Sequence, residues 1–570
     1  MKMLKNSIKF ALIALLVITA SCSLDEKWYS EVTPETYFTS KESVEGAFGR
    51  PFTHWIWYTQ QTRSFYLQEY GTDVFCLPTR GSDWYNAGQF QRRHHHTWNM
   101  DDSDFWEGWR GFGMGIAYCL ETAEDLGNVD YESLGFEPGV KEDHLAQLKA
   151  LQAYFYWRGL DFFGGVPIYE SNREDAQPRS TDVETFDHIE QLLLEAIPQL
   201  KQKESLGAKE KGFIHQATAA ALLARLYFNA ESYVGKPMFD KAEEISADII
   251  SGKYGSYELD DTWYGPHTFT NDVSPEIIWS TPSDPNMQQY EWWYKHFGHY
   301  ETYKYLNLEG KGNNGGSLTP SLKPDGTPYT FRLGRPFAKF HEDDLRKKPY
   351  VYLGNRTYEG MFLVGVQKNP LTGAESKGNR EYKDKTLEFV DYYAQASKVG
   401  QEGYPATLAE MPSTIATAEE NSGIRPMKVP MPNLADIAYR FQPDNPIIRL
   451  SEIYYMQAEC KMREGTQHDM PGAVELINQV RKRNFEDGVD PDPVTVENLD
   501  KYRMLDEWMM EFLQEGEGRR RIDLIRWGLY VTEDWWDHKA SNDPSRNRFP
   551  IPTKAFDGNN LLEQNPGYSK

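Results

Sequence analysis

Between residues 148 and 168 the chain reads LKALQAYFYWRGLDFFGGVPI, and its apolar positions recur at helical spacing. Leu148, Leu151, Phe155 and Phe162 share one face, while Ala150, Ala153, Trp157 and Leu160 share the next. A helix apolar over so much of its circumference packs on two sides, and Gly164-Gly165 ends it. FDHIEQLLLEAIPQL (186–200), ATAAALLARLYFNA (217–230) and FDKAEEISADII (239–250) predict three more helices, the second rich in alanines that let neighbouring backbones approach. Near the C-terminal end PIIRLSEIYYMQAECKMREG (446–465) and PGAVELINQVRKRN (471–484) predict a helix, a turn and a helix. Helix, short loop and helix with small residues at the crossing is the tetratricopeptide style of repeat, divergent here because the period is irregular.

The middle breaks this pattern. Residues 252–445 hold many Gly, Pro, Asn and Asp and few periodic runs. EIIWST (276–281) and GMFLVGVQ (360–367) predict short strands, and GKGNNGGSLTPSLKPDGTP (310–328) a loop. The expected fold is mostly α: a divergent tetratricopeptide-like helical repeat scaffold, over about 22–251 and 446–530, with a large irregular, partly β insertion at about 252–445 and a tail at 531–570. Binding residues gather on such loops when a rigid scaffold holds them.

The first residues belong to neither part. Lys2, Lys5 and Lys9 precede an apolar run from Phe10 to Ile18. That run is far shorter than the ~20 residues a membrane-spanning helix needs, and it fits the core of a secretory signal peptide over residues 1–21. Thr19-Ala20-Ser21-Cys22 resembles a bacterial lipobox, although leucine is usual where Thr19 stands, and Cys22 is the expected acylation site. Asp25-Glu26 resembles a signal that carries lipoproteins to the cell surface. Cys76, Cys119 and Cys460 remain, without a CxxC pair, so neither a disulfide framework nor a zinc site is expected.

Composition narrows function by exclusion. The formal net charge is −24, against the basic footprint that nucleic-acid binding needs. Aromatic residues make up 14% of the chain, with 16 Trp and 35 Tyr, which suits interfaces and sugar platforms. GxSxG, HExxH and a phosphate-cradling glycine loop are absent, so no catalytic role and no cofactor are expected. His94-His95-His96 point apart on a strand or a helix, which disfavours a compact metal site. Asp101, Asp102 and Asp104 lack the calcium-loop pattern, and Asp104 with Glu107 is spaced as a helix capping box. Arg519, Arg520 and Arg521 in GEGRRRIDLIRWG stand among acids and read as structural pairs. Trp55, Trp57, Trp106, Trp109 and Trp279 read as core.

Six stretches carry a resemblance. LKALQAYFYWRGLDFFGGVPI (148–168), KGFIHQATAAALLARLYFNA (211–230), NPIIRLSEIYYMQAEC (445–460), LINQVRKRN (476–484), DEWMMEFLQEGEGRRRIDLIRWG (506–528) and FPIPTKAFDGNNLLEQNPGY (549–568) occur in the order found in the SusD/RagB family of surface nutrient-binding lipoproteins. The chain, from its lipobox to its C-terminus, resembles a member of that family. The resemblance implies capture of an oligosaccharide or polysaccharide at the cell outer membrane. It also implies delivery to a partner SusC-like TonB-dependent transporter, without catalysis. The RagB branch implies peptide capture instead, and a repeat adaptor without a small ligand is a third reading. In the family a loop after the second N-terminal helix and a loop of the insertion meet at the ligand. The expected ligand-binding residues are therefore Asp83, Trp84, Tyr85 and Asn86 in RGSDWYNAG, and Tyr290, Trp292, Trp293 and Tyr294 in QQYEWWYKHFGHY. Asp73, in EYGTDVF, is placed like a family acid that lines the same cleft.

Overall fold

The computed structural model describes residues 34–59, 63–209, 212–283, 292–308, 310–463 and 468–569. The leader and Cys22 lie outside them. The molecule is mostly helical, and its strands are short. The first half supplies helices α1 (Lys41–Tyr58), α2 (Ser103–Gly127), α3 (Val140–Phe163), α4 (Asp182–Ala196), α5 (Gln216–Phe228) and α6 (Phe239–Ile250). The second supplies α7 (Leu450–Met462), α8 (Met470–Arg481), α9 (Lys501–Phe512) and α10 (Arg520–Arg526).

Each helix from α1 to α8 packs on the next. The stack passes directly from α6 to α7, so the chain leaves it after Ile250 and rejoins it at Leu450. The two apolar faces of α3 are explained by this, since α2 covers one side and α4 the other. On α2, Gly111 and Gly115 let its neighbours come close: a Cβ on Gly111 would lie 2.2 Å from the Tyr58 ring, and one on Gly115 would lie 2.5 Å from Phe155. Ala217, Ala219, Ala220, Ala221 and Ala224 are wholly buried on α5, the close approach that its composition predicts. Thr181 and Glu184 form a capping box that starts α4.

Two sequence expectations change here. PIIR (446–449) is not part of α7, which begins at Leu450. Asn445–Arg449 is a strand, β2, pairing antiparallel with β1 (Ile277–Thr281). Its branched side chains suit a fully buried strand as well as a helix, and only the partner strand decides. The second change concerns Asp104 and Glu107, which form no capping box. The helix starts after Asp102, and Asp104 lies 3.5 Å from the buried Arg93.

Trp55 and Trp279 are core, as expected; they stack at 4.0 Å with planes 8° apart and join α1 to β1. Trp57, Trp106 and Trp109 are only half-buried. Cys76, Cys119 and Cys460 are buried free thiols.

A second, aromatic-rich core lies beside the helical stack, with Phe65, Tyr66, Tyr70, Phe75, Phe90, Phe297 and Phe362 among its members. It packs residues 65–90 against the irregular middle of the chain, and a two-residue strand pairing, Phe75 opposite Leu318, sets the register. At the junction of the two cores lies a buried ionic hub. Arg449, at the end of β2, reaches Glu276 (2.7 Å), Glu511 (2.9 Å) and Glu515 (2.8 Å). Arg483 and Arg346 also bind Glu511, at 2.8 and 3.0 Å. Burial opposes ionisation of Glu511, but Arg449, Arg483 and Arg346 outweigh it and hold the carboxyl down to about 2. The arginines of GEGRRRIDLIRWG are structural as expected: Arg519 pairs with Asp523 (2.9 Å), Arg520 with Asp73 (2.7 Å) and Arg521 with Asp161 (3.4 Å).

Candidate functional site

The turn at residues 81–88 is the most contorted described stretch near the aromatic core. Trp84, Asn86, Ala87 and Gly88 have φ of 59°, 42°, 51° and 78°. Left-handed backbone is unfavourable for residues with a Cβ and persists only where the surroundings enforce it. Those surroundings are specific. The buried Arg80 donates to the carbonyls of Glu419 (2.7 Å) and Ser422 (2.8 Å) and to Ser317 Oγ (2.8 Å). Arg92 donates to the Ala87 carbonyl at 2.7 Å. The Trp84 indole N–H donates to the Asn313 carbonyl at 3.0 Å, and its ring stands edge-on to His296, centroids 5.4 Å apart. Burial pushes His296 down to about 3, so that ring is neutral.

Asp83 faces the irregular middle. Arg380 binds it at 2.6 Å, and the Tyr300 hydroxyl donates to it. The Arg380 guanidinium lies over the Tyr300 ring, 4.7 Å from its centroid. Burial raises the Tyr300 hydroxyl pKa, and the Asp83 carboxylate raises it further. Burial also pushes Glu420, which accepts from the backbone N–H of Asn379 beside Arg380, up to about 6.

The structure therefore brings four of the expected residues together. Tyr85 is 53% exposed, Asn86 is exposed, and Asp83 and Trp84 are half-buried. Tyr300, Asn313 and Arg380 complete the arrangement, and none of them was anticipated. Asn313 stood in a glycine-rich loop and Tyr300 closed the aromatic stretch QQYEWWYKHFGHY; nothing local marked Arg380. Of the other expected group, Tyr290 lies outside the described residues. Trp292, Trp293 and Tyr294 begin a short helix, Trp292–Phe297, whose backbone alone is described at those positions.

Asp73 is a correction. It is wholly buried, both of its oxygens bind Arg520 at 2.7 Å, and it accepts from the Gly334 N–H at 2.7 Å. A carboxylate so saturated has nothing left for a ligand, and its buried pairing with Arg520 marks it as structural. His94 and His96 are likewise structural: their ring N–H groups donate to the carbonyls of Trp536 (2.9 Å) and Gly71 (2.8 Å).

The surface that results has an open phenol ring, an amide and a carboxylate–guanidinium pair on a rigid turn. The fold and this surface define a helical-repeat protein that carries a preformed polar and aromatic turn on an irregular flank. The model of the SusD family matches residues 275–568, just over half of the chain, and the chain belongs to that family. It is 25% identical over 461 residues to the starch-binding protein SusD of Bacteroides thetaiotaomicron, covering 74% of this chain and 72% of that protein. A SusD superfamily protein from Bacteroides fragilis superposes with a TM-score of 0.67 at 16% identity, covering 94% of this chain and all of that one. The surface glycan-binding protein A of Bacteroides thetaiotaomicron superposes with a TM-score of 0.64 at 17% identity, covering 93% and 100%.

Proposed function

We propose that the protein is a surface lipoprotein that captures a glycan and passes it to a TonB-dependent outer-membrane transporter, with no catalytic step. The observation that carries this reading is the 81–88 turn, held in a left-handed conformation with Tyr85 and Asn86 outward and Asp83 and Arg380 beside them. A pyranose has an apolar C–H face and a rim of hydroxyls. Tyr85 covers the face, and Asn86, Asp83 and Arg380 meet the rim. Covering about 70 Å² of apolar surface contributes about 2 kcal/mol, while association costs roughly 4 kcal/mol or more. One short chain therefore binds weakly, as suits a receptor that releases its ligand. A relative named for starch binding and a structural neighbour named for surface glycan binding support the same class. Acylation at Cys22, the boundaries near 251 and 446, and any contribution of Tyr290 to Tyr294 belong to this proposal.

Affinity electrophoresis of the protein from Ser23 onward, through gels holding a panel of polysaccharides, tests it. Retardation by one glycan, lost in Tyr85→Ala, is the expected result. Uniform mobility, with peptides binding by calorimetry, would replace the glycan by a peptide ligand. Membrane fractionation of Cys22→Ala tests the anchor, and that variant is expected in the soluble fraction.

A further inference from the structure

A cleft of about 240 Å³ opens on the outer face of α2. It is lined by Trp106 and Trp109, three residues apart on that helix, by Pro167 and Tyr169 after α3, and by Lys554 and Leu562 near the C-terminus. Trp109 is fixed by edge contacts to Phe112 (5.1 Å) and Phe163 (5.2 Å). Among the described residues neither indole N–H has a protein acceptor, and neither is sealed from solvent. The Lys554 ammonium lies 5.8 Å from the Trp106 ring centroid and has no carboxylate partner among those residues.

An aliphatic side chain would fill this hollow but leave its donors without acceptors once water is displaced, which is costly. A sugar ring satisfies both demands: its C–H face lies on an indole, and its oxygens accept from Lys554 and the indole N–H groups. The volume lies below the ~300–1,000 Å³ of drug-sized sites, so it suits a single ring. The cleft is also close to the 81–88 turn. Ser103 Oγ donates to Gln89 Oε1 at 3.1 Å. Trp106 is one helical turn beyond Ser103, about 5 Å along the axis, and Tyr85 is at most ~14 Å of chain from Gln89. A chain of a few sugar units reaches from one to the other.

We propose that this cleft is a second sugar subsite, for one pyranose unit of the same glycan chain whose other units rest on the 81–88 turn. The proposal rests on the glycan-capture reading. Two subsites on one chain convert the second contact into an intramolecular one and favour long ligands over short ones.

The test uses protein labelled with 5-fluorotryptophan, with the ¹⁹F signals of Trp106 and Trp109 assigned from Trp106→Phe and Trp109→Phe. A glycan that retards the wild type is titrated into Tyr85→Ala protein. Saturable movement of both signals, weakened at least threefold by Lys554→Ala, is expected. In the wild-type background, Trp106→Ala is expected to weaken the long glycan about tenfold and a disaccharide by less than twofold. Retardation of the wild type with both signals unmoved would overturn the second subsite and leave the first reading standing. No retardation by any glycan would overturn both. Movement with proline-rich or leucine-rich peptides alone would assign the cleft to a protein partner and overturn the sugar subsite. Because Trp109 packs on Phe112 and Phe163, thermal melts of each variant accompany the titrations, and Lys554→Ala, an exposed change, reads the subsite without disturbing that packing.

Discussion

Two groups of carboxylate–guanidinium pairs use the same chemistry in opposite surroundings. Around Arg449 the paired side chains are at most 8% exposed, and each acid has its cation within 3.0 Å. At the turn, Asp83 and Arg380 are 31% and 35% exposed. Water and ligand hydroxyls can compete for the second pair and not for the first. The hub therefore fixes how β1, β2, α8 and α9 meet, while the turn offers groups that exchange one partner for another. An acid beside an arginine thus says nothing about function until its exposure is known, and Asp73 is the case in point.

The largest effect expected falls on the hub. Arg449→Met strands Glu276, Glu511 and Glu515 with fewer cations in a dry site. Removing one partner of a buried pair costs about 3–5 kcal/mol, so urea unfolding is expected to show at least that loss, or the variant fails to fold. A loss below about 1 kcal/mol would show that the hub tolerates rearrangement and does not fix the junction.

The next largest effect concerns a buried histidine, His538. His538 stacks on Trp535 at 3.7 Å and donates from Nδ1 to the His94 carbonyl at 2.6 Å. Burial pushes it down to about 4, against the ordinary 6.5. Because the unfolded chain takes up the proton first, the stability held by neutral His538 is full above pH 6.5 and is lost as pH falls towards 4. A tenfold difference in proton affinity between the folded and unfolded chain corresponds to about 1.4 kcal/mol, so the whole window holds roughly 3 kcal/mol. The stability difference between wild type and His538→Gln, followed by urea unfolding from pH 7 to 4.5, is expected to shrink in that direction. A difference that stays constant would show that His538 titrates normally in the fold.

Much of the scaffold was legible because helical packing is written in periodicity. The two apolar faces of α3 and the alanines of α5 needed only their neighbours to be found. What misled were signals that local spacing leaves ambiguous. PIIR reads equally as buried strand or helix until Ile277–Thr281 pairs with it. Trp106 and Trp109 read as core because indoles usually are, yet both are only half-buried, on a helix that packs between α1 and α3. At the candidate site, glycine-bounded RGSDWYNAG pointed to an exposed turn, and the positive φ values agree. Arg380, nearly 300 residues away in sequence, joins it through tertiary folding that no local pattern encodes. Trp84 illustrates the limit: the residue is in place, but its N–H is engaged by Asn313 and its ring packs on His296 and Phe90. Trp84→Ala is therefore expected to lose stability as well as binding.

Tyr85 separates those two effects. Its ring is the most exposed of the turn's aromatics, so Tyr85→Ala is expected to change stability by no more than about 0.5 kcal/mol. Glycan affinity is expected to fall about tenfold, equivalent to ~1.4 kcal/mol. Affinity electrophoresis beside a thermal melt reads both. Unchanged affinity would move the platform to another ring and weaken the choice of this turn.

The smallest effect is expected at the Asp83–Arg380 pair, which bears most directly on the contrast between hub and turn. A double-mutant cycle with Asp83→Asn and Arg380→Gln measures their coupling without ligand. At one-third exposure the pair is screened, and holding two side chains in one geometry offsets part of the attraction, so exposed pairs couple by about 0.2–1 kcal/mol. Raising the salt from 0.01 to 1 M shortens the screening length from about 30 to 3 Å and is expected to erase the coupling. A coupling above about 2 kcal/mol, insensitive to salt, would place Asp83 with the buried pairs of the hub. The carboxylate would then be structural, as Asp73 is, and the ligand would have only Tyr85 and Asn86 on this turn to hold it.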